Sequence, residues 1–328
     1  MDTFKSFEAG LYAVNDSNFT DIALELFRYQ AENNLVYSRF LKNLKANPSK
    51  VKHLEEVPFL PVSFFKTQQI QTGSWTPELE FTSSGTTGSA TSRHPVLDLS
   101  FYLRHAERNF EHFYGSLKQY HILALLPSYL ERNGSSLIAM MDHFIKKSES
   151  EHSGFYLYNH AELVQKIELL KPGSRKILVW GVSFALLDLA ENFEIDLRNT
   201  IVMETGGMKG RRQELTRPEL HALLNKKFNT AVIHSEYGMT ELMSQAYSTG
   251  NGLYRLPPWM KIVVREINDP FSYLQGKTGG INVVDLANFH SCAFIETQDL
   301  GKTVAEAGFE ILGRIDNSDV RGCNLLVG

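Results

Sequence analysis

The sequence predicts an α/β protein: a parallel, helix-covered sheet over about residues 75–250, followed by a smaller β-meander or distorted barrel over about residues 252–312. Between residues 120 and 240, short apolar runs alternate with segments of helical period, the pattern of a parallel sheet covered on both faces. Beyond Gly252, β-branched runs follow one another across short Gly- or Asp-containing turns with no long helix between them. With 328 residues and 43% hydrophobic content, the chain can bury a large core.

The elements follow in order. A helical N-terminal segment, 1–50, carries Ile22, Leu24, Leu26 and Phe27 behind a Thr20-Asp21 cap, then Leu35, Tyr37, Phe40, Leu41 and Leu44. Pro58 and Pro61 exclude a helix interior and predict an extended segment running over a surface. Ser100 is placed to cap a helix through Leu103, Ala106, Phe110 and Phe113, and the apolar run from Ile122 reads as a buried strand ending at Pro127. Helices are expected over 137–145, 161–170, 184–190 and 218–228, and strands over 176–180, 200–203 and 231–233. The β-rich part has strands over 261–264, 281–284, 293–295 and 309–312.

A net charge of −4 and the lack of any Lys/Arg block exclude the electrostatic footprint of a nucleic-acid binder. The N-terminus has no secretory pattern, and no 18-residue apolar run occurs, so the expectation is a cytoplasmic protein without stable membrane insertion. Cys292 and Cys323 cannot form a disulfide framework or a zinc knuckle. Cys292 leads into an apolar strand and reads as a small buried hydrophobe.

The chemistry concentrates in the stretch from Phe81 to Ser92, almost entirely Ser, Thr and Gly. Such a backbone reaches positive φ and offers N–H groups and hydroxyls to an anion. At about 7% per residue type, Ser83-Ser84-Gly85-Thr86-Thr87-Gly88 arises by chance on the order of 10⁻⁴ times or fewer in a chain of this size. It is not the nucleoside-kinase loop, because the position five after Gly85 is Ala90 and no lysine stands beside it. Three further stretches, at Glu204-Thr205-Gly206-Gly207, at Ser235 through Glu241 and at Glu296 through Gly301, stand where expected strands end, the place where open α/β sheets hold ligands. Gly206 and Gly207 admit a flat ring, Tyr237 can stack on one, Glu241 can hold a metal ion, and Asp299 offers two oxygens to vicinal ribose hydroxyls. A rival signal is Gly181-Val182-Ser183-Phe184-Ala185, one residue away from the serine-hydrolase elbow, with His221 and His234 among the downstream bases.

These motifs resemble those of the adenylate-forming, acyl-activating enzymes. The likeness rests on Thr82-Ser83-Ser84-Gly85-Thr86-Thr87-Gly88, on Tyr237-Gly238-Met239-Thr240-Glu241, on Thr297-Gln298-Asp299 and on Gly313-Arg314-Ile315-Asp316, and runs from about residue 57 to the end. Within that superfamily the chain is most similar to the acyl-protein synthetase of the bacterial bioluminescence fatty acid reductase, through Pro58 to Lys66 and Gly313 to Asn324. The resemblance implies ATP and Mg²⁺ as cofactors. It gives the Thr82–Gly88 loop to the phosphates, Gly206, Gly207, Tyr237 and Gly238 to the nucleotide, Thr240 to the α-phosphate, Glu241 to Mg²⁺, and Asp299 and Arg314 to ribose. Arg93 stands roughly where a lysine often closes the phosphate loop, and Gln298 replaces a usual glycine. The implied organisation is an adenylate-forming core, 1–312, and a hinge-like motif with a short tail, 313–328, without the usual C-terminal lid domain and its lysine.

The expected activity is ATP-dependent activation of a long-chain fatty acid to an acyl adenylate, with transfer to Cys323 or to a partner reductase subunit. Arg321 is a nearby cation that would lower the pKa of the Cys323 thiol. Two alternatives stand beside it: a non-catalytic subunit that binds nucleotide or acyl adenylate within a reductase complex, and an aryl- or acyl-CoA ligase-like enzyme.

Overall fold

The computed structural model of the chain describes residues 2–83, 91–126, 134–206, 215–304 and 308–315. The chain divides into two compact units: Met1–Phe64, Ile70–Thr72 and Pro258–Gly328, and Phe65–Gln69 with Gly73–Pro257.

The second unit contains the parallel sheet. Its strands Gly154–Tyr156, Tyr120–Leu125, Lys176–Val182, Thr200–Thr205 and His234–Tyr237 lie side by side in that order, followed by the antiparallel strands Ala246–Ser248 and Leu253–Arg255. Six consecutive residues of Lys176–Val182, from Ile177 on, are buried, so both faces of that strand are covered. Helices Leu99–Tyr114, Ser136–Ser148, His160–Leu170, Ser183–Asn192 and Arg217–Phe228 alternate with the strands, as the sequence predicts. The core centres on Trp180, fully buried, with Phe110 and Phe144 at 6.1 Å and Tyr247 at 6.2 Å between ring centroids.

Three local expectations are corrected. The last parallel strand is His234–Tyr237 rather than residues 231–233, because pairing with Thr200–Thr205 begins at Met203↔His234 and carries the ladder through the buried Ser235 and Glu236; of the apolar run only Ile233 is buried, just ahead of the strand. Asp98, not Ser100, caps Leu99–Tyr114: its carboxylate accepts from the Phe101 amide at 2.9 Å and from the Ser100 hydroxyl at 2.7 Å. Helix Phe19–Asn33 starts ahead of Thr20, so Asp21 lies in its first turn, where a carboxylate meets the helix dipole favourably.

The first unit packs three helices, Asp2–Leu11, Phe19–Asn33 and Leu35–Asn43, with an antiparallel meander. The meander runs Tyr273–Leu274, Met260–Arg265, Gly279–Asp285, Phe294–Val304 and Gly308–Arg314 across the sheet. Phe27 and Tyr37 meet Phe294 at 5.7 and 6.4 Å. The buried Gln30 side chain accepts from the Ala293 amide at 2.9 Å and donates toward the Asn288 carbonyl at 3.1 Å, tying a helix to the turn that feeds the longest strand. The Pro58–Pro61 segment is extended as expected but does not run over a surface. Leu60–Pro61 pairs in parallel with Ile295–Glu296, and Phe59 and Leu60 are buried. A proline is tolerated there because this two-residue strand sits off the main ladder, needing no N–H at that position. Among the described residues no helix is long and apolar enough to cross a membrane.

Candidate functional site

In the second unit, the Ser/Thr/Gly stretch springs from a β-hairpin. Leu79–Thr82 pairs with Arg93–Val96, with Thr82 opposite Arg93. The Ser83 amide donates to the Ser92 carbonyl at 3.0 Å, and the Ser92 amide donates back to the Ser83 hydroxyl at 2.9 Å, so the stem is closed at its rim. Arg93 is exposed at that rim, whereas His94, its strand neighbour, is buried on the opposite face. His94 donates from Nδ1 to the Thr240 carbonyl at 2.7 Å. That bond hooks the hairpin stem to the Tyr237–Glu241 segment and leaves the Thr240 side chain out of the backbone link. Ser84, Gly85, Thr86, Thr87, Gly88, Gly207 and Cys323 lie outside the described residues.

Tyr237 ends the last parallel strand, with its ring edge-on to Tyr254 at 5.9 Å. Gly238 follows, exposed; a Cβ there would overlap Glu236 Oε1, so any larger residue displaces that carboxylate. Glu241 is buried. Beneath this turn sits a network the sequence reading left without a role. The Thr205 hydroxyl donates to the buried Glu236 carboxylate, and the Ser183 hydroxyl donates to Glu204 Oε1 at 2.6 Å and lies 2.9 Å from the Gly206 carbonyl. Burial pushes the Glu236 carboxyl up to about 7; the Thr205 hydrogen bond opposes this and the Glu204 charge adds to it. Burial also penalises Glu204, but His221 and Arg217, each at 3.8 Å, outweigh it and hold that carboxyl below its ordinary range. One carboxylate is thus kept ionised and its neighbour is held near neutrality. Gly206 has φ +72°, a backbone shape glycine adopts freely, at the end of Thr200–Thr205.

Ser183 has no hydrolase geometry. Its hydroxyl partners are Glu204 and Gly206, whereas His221 faces Ser235 Oγ at 3.3 Å and His234 faces the Tyr114 hydroxyl at 3.0 Å. Cys292 is fully buried and burial pushes its thiol up to about 12, which makes it inert, as its apolar setting predicts.

In the first unit, Thr297-Gln298-Asp299 lies within the strand Phe294–Val304 rather than at a strand end. Asp299 pairs in register with Arg314, whose Nε lies 3.8 Å from Asp299 Oδ1. Gln298 Oε1 accepts from Arg314 Nη2 at 3.4 Å, so the residue that departs from the family pattern helps to hold the arginine.

Among the described residues no group of three His, Cys, Asp or Glu is arranged to hold a metal ion. One carboxylate still suits Mg²⁺ bound to nucleotide, which takes one or two protein carboxylates and fills its shell with phosphate oxygens and water.

In three dimensions the chain is similar to ligases. A 2-hydroxyisobutyryl-CoA ligase, in an open conformation with 2-HIB-AMP and CoA, matches with a TM-score of 0.69 at 14% identity, over 92% of this chain and 70% of that one. The chain shares its fold with that ligase. The same enzyme in its thioesterification state gives 0.68 at 15% identity, over 92% and 68% of the two chains. ATP-bound MatB from Rhodopseudomonas palustris gives 0.53 at 16% identity, over 74% and 49%. No protein-family model matches the chain and no curated protein matches it in sequence.

Proposed function

We propose that the protein is an ATP- and Mg²⁺-dependent ligase that converts a carboxylic acid, a long-chain fatty acid, to its acyl adenylate in the cytoplasm and passes the acyl group to a thiol. The observation that carries this reading is the fold shared with a ligase that holds an acyl–AMP. The four motifs in order along the chain support it, as does the hook from His94 to Thr240 that joins the stem of the Ser/Thr/Gly loop to the Tyr237–Glu241 segment.

In the reaction a carboxylate oxygen forms a bond to the α-phosphorus of ATP, the bond to the bridging oxygen breaks, and pyrophosphate leaves. Two anions must approach, so the protein has to surround the transferring group with fixed positive charge and hydrogen-bond donors. Thr82, Ser83, Ser84, Gly85, Thr86, Thr87 and Gly88 hold the phosphates, Arg93 supplies a cation at the rim, and the Thr240 hydroxyl donates to the α-phosphate. Arginine delivers that charge as a planar fork rather than as a point. Glu241 would hold Mg²⁺, which would supply charge neutralisation for the phosphates. Gly206, Gly207, Tyr237 and Gly238 bind the adenine, and Asp299 with Arg314 takes the ribose. The adenylate is a mixed anhydride. A Cys323 thiolate attacks its carbonyl carbon, a thioester forms and AMP departs; a partner reductase subunit then receives the acyl group.

A second acceptor is coenzyme A, which the CoA-bound state of the similar ligase favours. Acid, ATP and Mg²⁺ are incubated with the protein and hydroxylamine. An acyl hydroxamate and stoichiometric pyrophosphate are the expected products, and fatty, aryl and amino acids compared in parallel identify the substrate. Nucleotide binding by calorimetry with no pyrophosphate released by any acid would instead assign a non-catalytic binding subunit.

A further inference from the structure

Between the pairs Asn282↔Glu296 and Gly280↔Leu300, the strand Gly279–Asp285 contributes only Ile281 while its partner contributes Thr297, Gln298 and Asp299. The motif is therefore a bulge relative to that strand, and the polar backbone groups the strand does not pair need partners from elsewhere. Arg265, at the end of the neighbouring strand Met260–Arg265 and 5% exposed, serves the first of them, the Thr297 carbonyl. Its Nη2 donates to the Thr297 carbonyl at 3.0 Å and lies 3.4 Å from Glu296 Oε1. Its Nη1 donates to the Ile281 carbonyl at 3.3 Å and to Asn282 Oδ1 at 3.2 Å. The Thr297 hydroxyl also donates to the Ile281 carbonyl, at 2.7 Å, and accepts from the Asp299 amide at 3.1 Å. A chain of hydrogen bonds thus runs from the guanidinium through Thr297 to the backbone of Asp299. Gly280, opposite Arg265 in register, leaves the room this needs, because a Cβ there would overlap the guanidinium. On the far side the Ile315 amide donates to the Gln298 carbonyl at 2.7 Å.

We infer that Arg265 is a positioning residue for the nucleotide site: it braces the Thr297-Gln298-Asp299 bulge from behind and so fixes the Asp299 carboxylate. This rests on the reading of Asp299 as the ribose-binding group. A buried guanidinium whose four contacts all converge on one bulge costs desolvation that an apolar residue would avoid. A planar fork holds several donors in fixed directions on separate nitrogens, whereas a lysine's three donors radiate from one point.

The test compares wild type with Arg265→Met, Arg265→Lys and Thr297→Val in two measurements. Calorimetry gives the affinities for ATP and for 2′,3′-dideoxy-ATP; hydrogen exchange of the ligand-free protein reports on peptides covering residues 297–300. Arg265→Met and Thr297→Val are expected to weaken ATP about tenfold and the dideoxy nucleotide about twofold or less, and to speed exchange at the Asp299 amide about tenfold. Arg265→Lys is expected to fall between wild type and Arg265→Met in both. Equal weakening of both nucleotides, or exchange unchanged from wild type, overturns the inference. If wild type itself does not discriminate between the nucleotides, the ribose reading of Asp299 fails, and exchange alone then decides the brace: faster in both variants upholds it, unchanged overturns it. Should Arg265→Met not fold, Arg265→Lys carries the same comparison.

Discussion

Replacing Glu236 by Gln should make the protein relatively more stable as the pH rises. The carboxyl ionises near 4.5 in the unfolded chain and near 7 in the fold, where burial beside Glu204 favours the neutral form. Across that window the unfolded state has released a proton that the folded state still holds, so Glu236 lowers stability as pH rises; the loss is complete above 7 and amounts to about 3 kcal/mol. His105, buried and pushed down to about 3, acts in the opposite sense up to its ordinary range near 6.5, as do His121 and His234. The wild-type profile alone therefore hides the effect, and the difference between variant and wild type isolates it. Gln keeps an oxygen for the Thr205 hydroxyl, so the two proteins should differ little at pH 5. Urea unfolding from pH 5 to 8 should show the variant gaining by up to about 3 kcal/mol. A difference that stays flat across that range would refute a neutral Glu236 in the fold.

Three other outcomes are expected. Asp299→Ala should weaken ATP binding at least about tenfold by calorimetry, through loss of hydrogen bonds to a charged group. Cys323→Ala should leave no hydroxylamine-sensitive label from radiolabelled fatty acid and ATP while adenylation persists; label retained on the variant moves the acyl site elsewhere. Trp180→Ala, at the centre of the Phe110, Phe144 and Tyr247 cluster, should cost about 3–5 kcal/mol in chemical denaturation.

The alternation that builds the parallel sheet is legible because buried strands there are written as apolar runs, as in Ile177–Val182. The His234–Tyr237 strand is not, since it is polar and buried: Ser235 and Glu236 are accommodated by partners on other elements, and no periodic pattern marks them. Asp98 and Ser100 both suit a cap, and only the local backbone decides that the carboxylate takes the amide. The candidate site divides the same way. Motifs contiguous in sequence, such as Tyr237 through Glu241, can be read directly. The His94–Thr240 hook spans 146 residues and the Arg265–Thr297 bond 32, so neither leaves a local signal. Leu60–Pro61 makes the point for the fold: proline indicates an extended chain, but nothing near it indicates a strand partner more than 200 residues away.

Adenylation itself is tested most directly by acid-dependent exchange of labelled pyrophosphate into ATP, with Mg²⁺ and a panel of fatty, aryl and amino acids. Exchange that needs both the acid and Mg²⁺, is greatest with a long-chain fatty acid and falls at least about tenfold in Asp299→Ala is the predicted result. Absence of exchange with every acid, from protein that is folded and binds ATP, would contradict it.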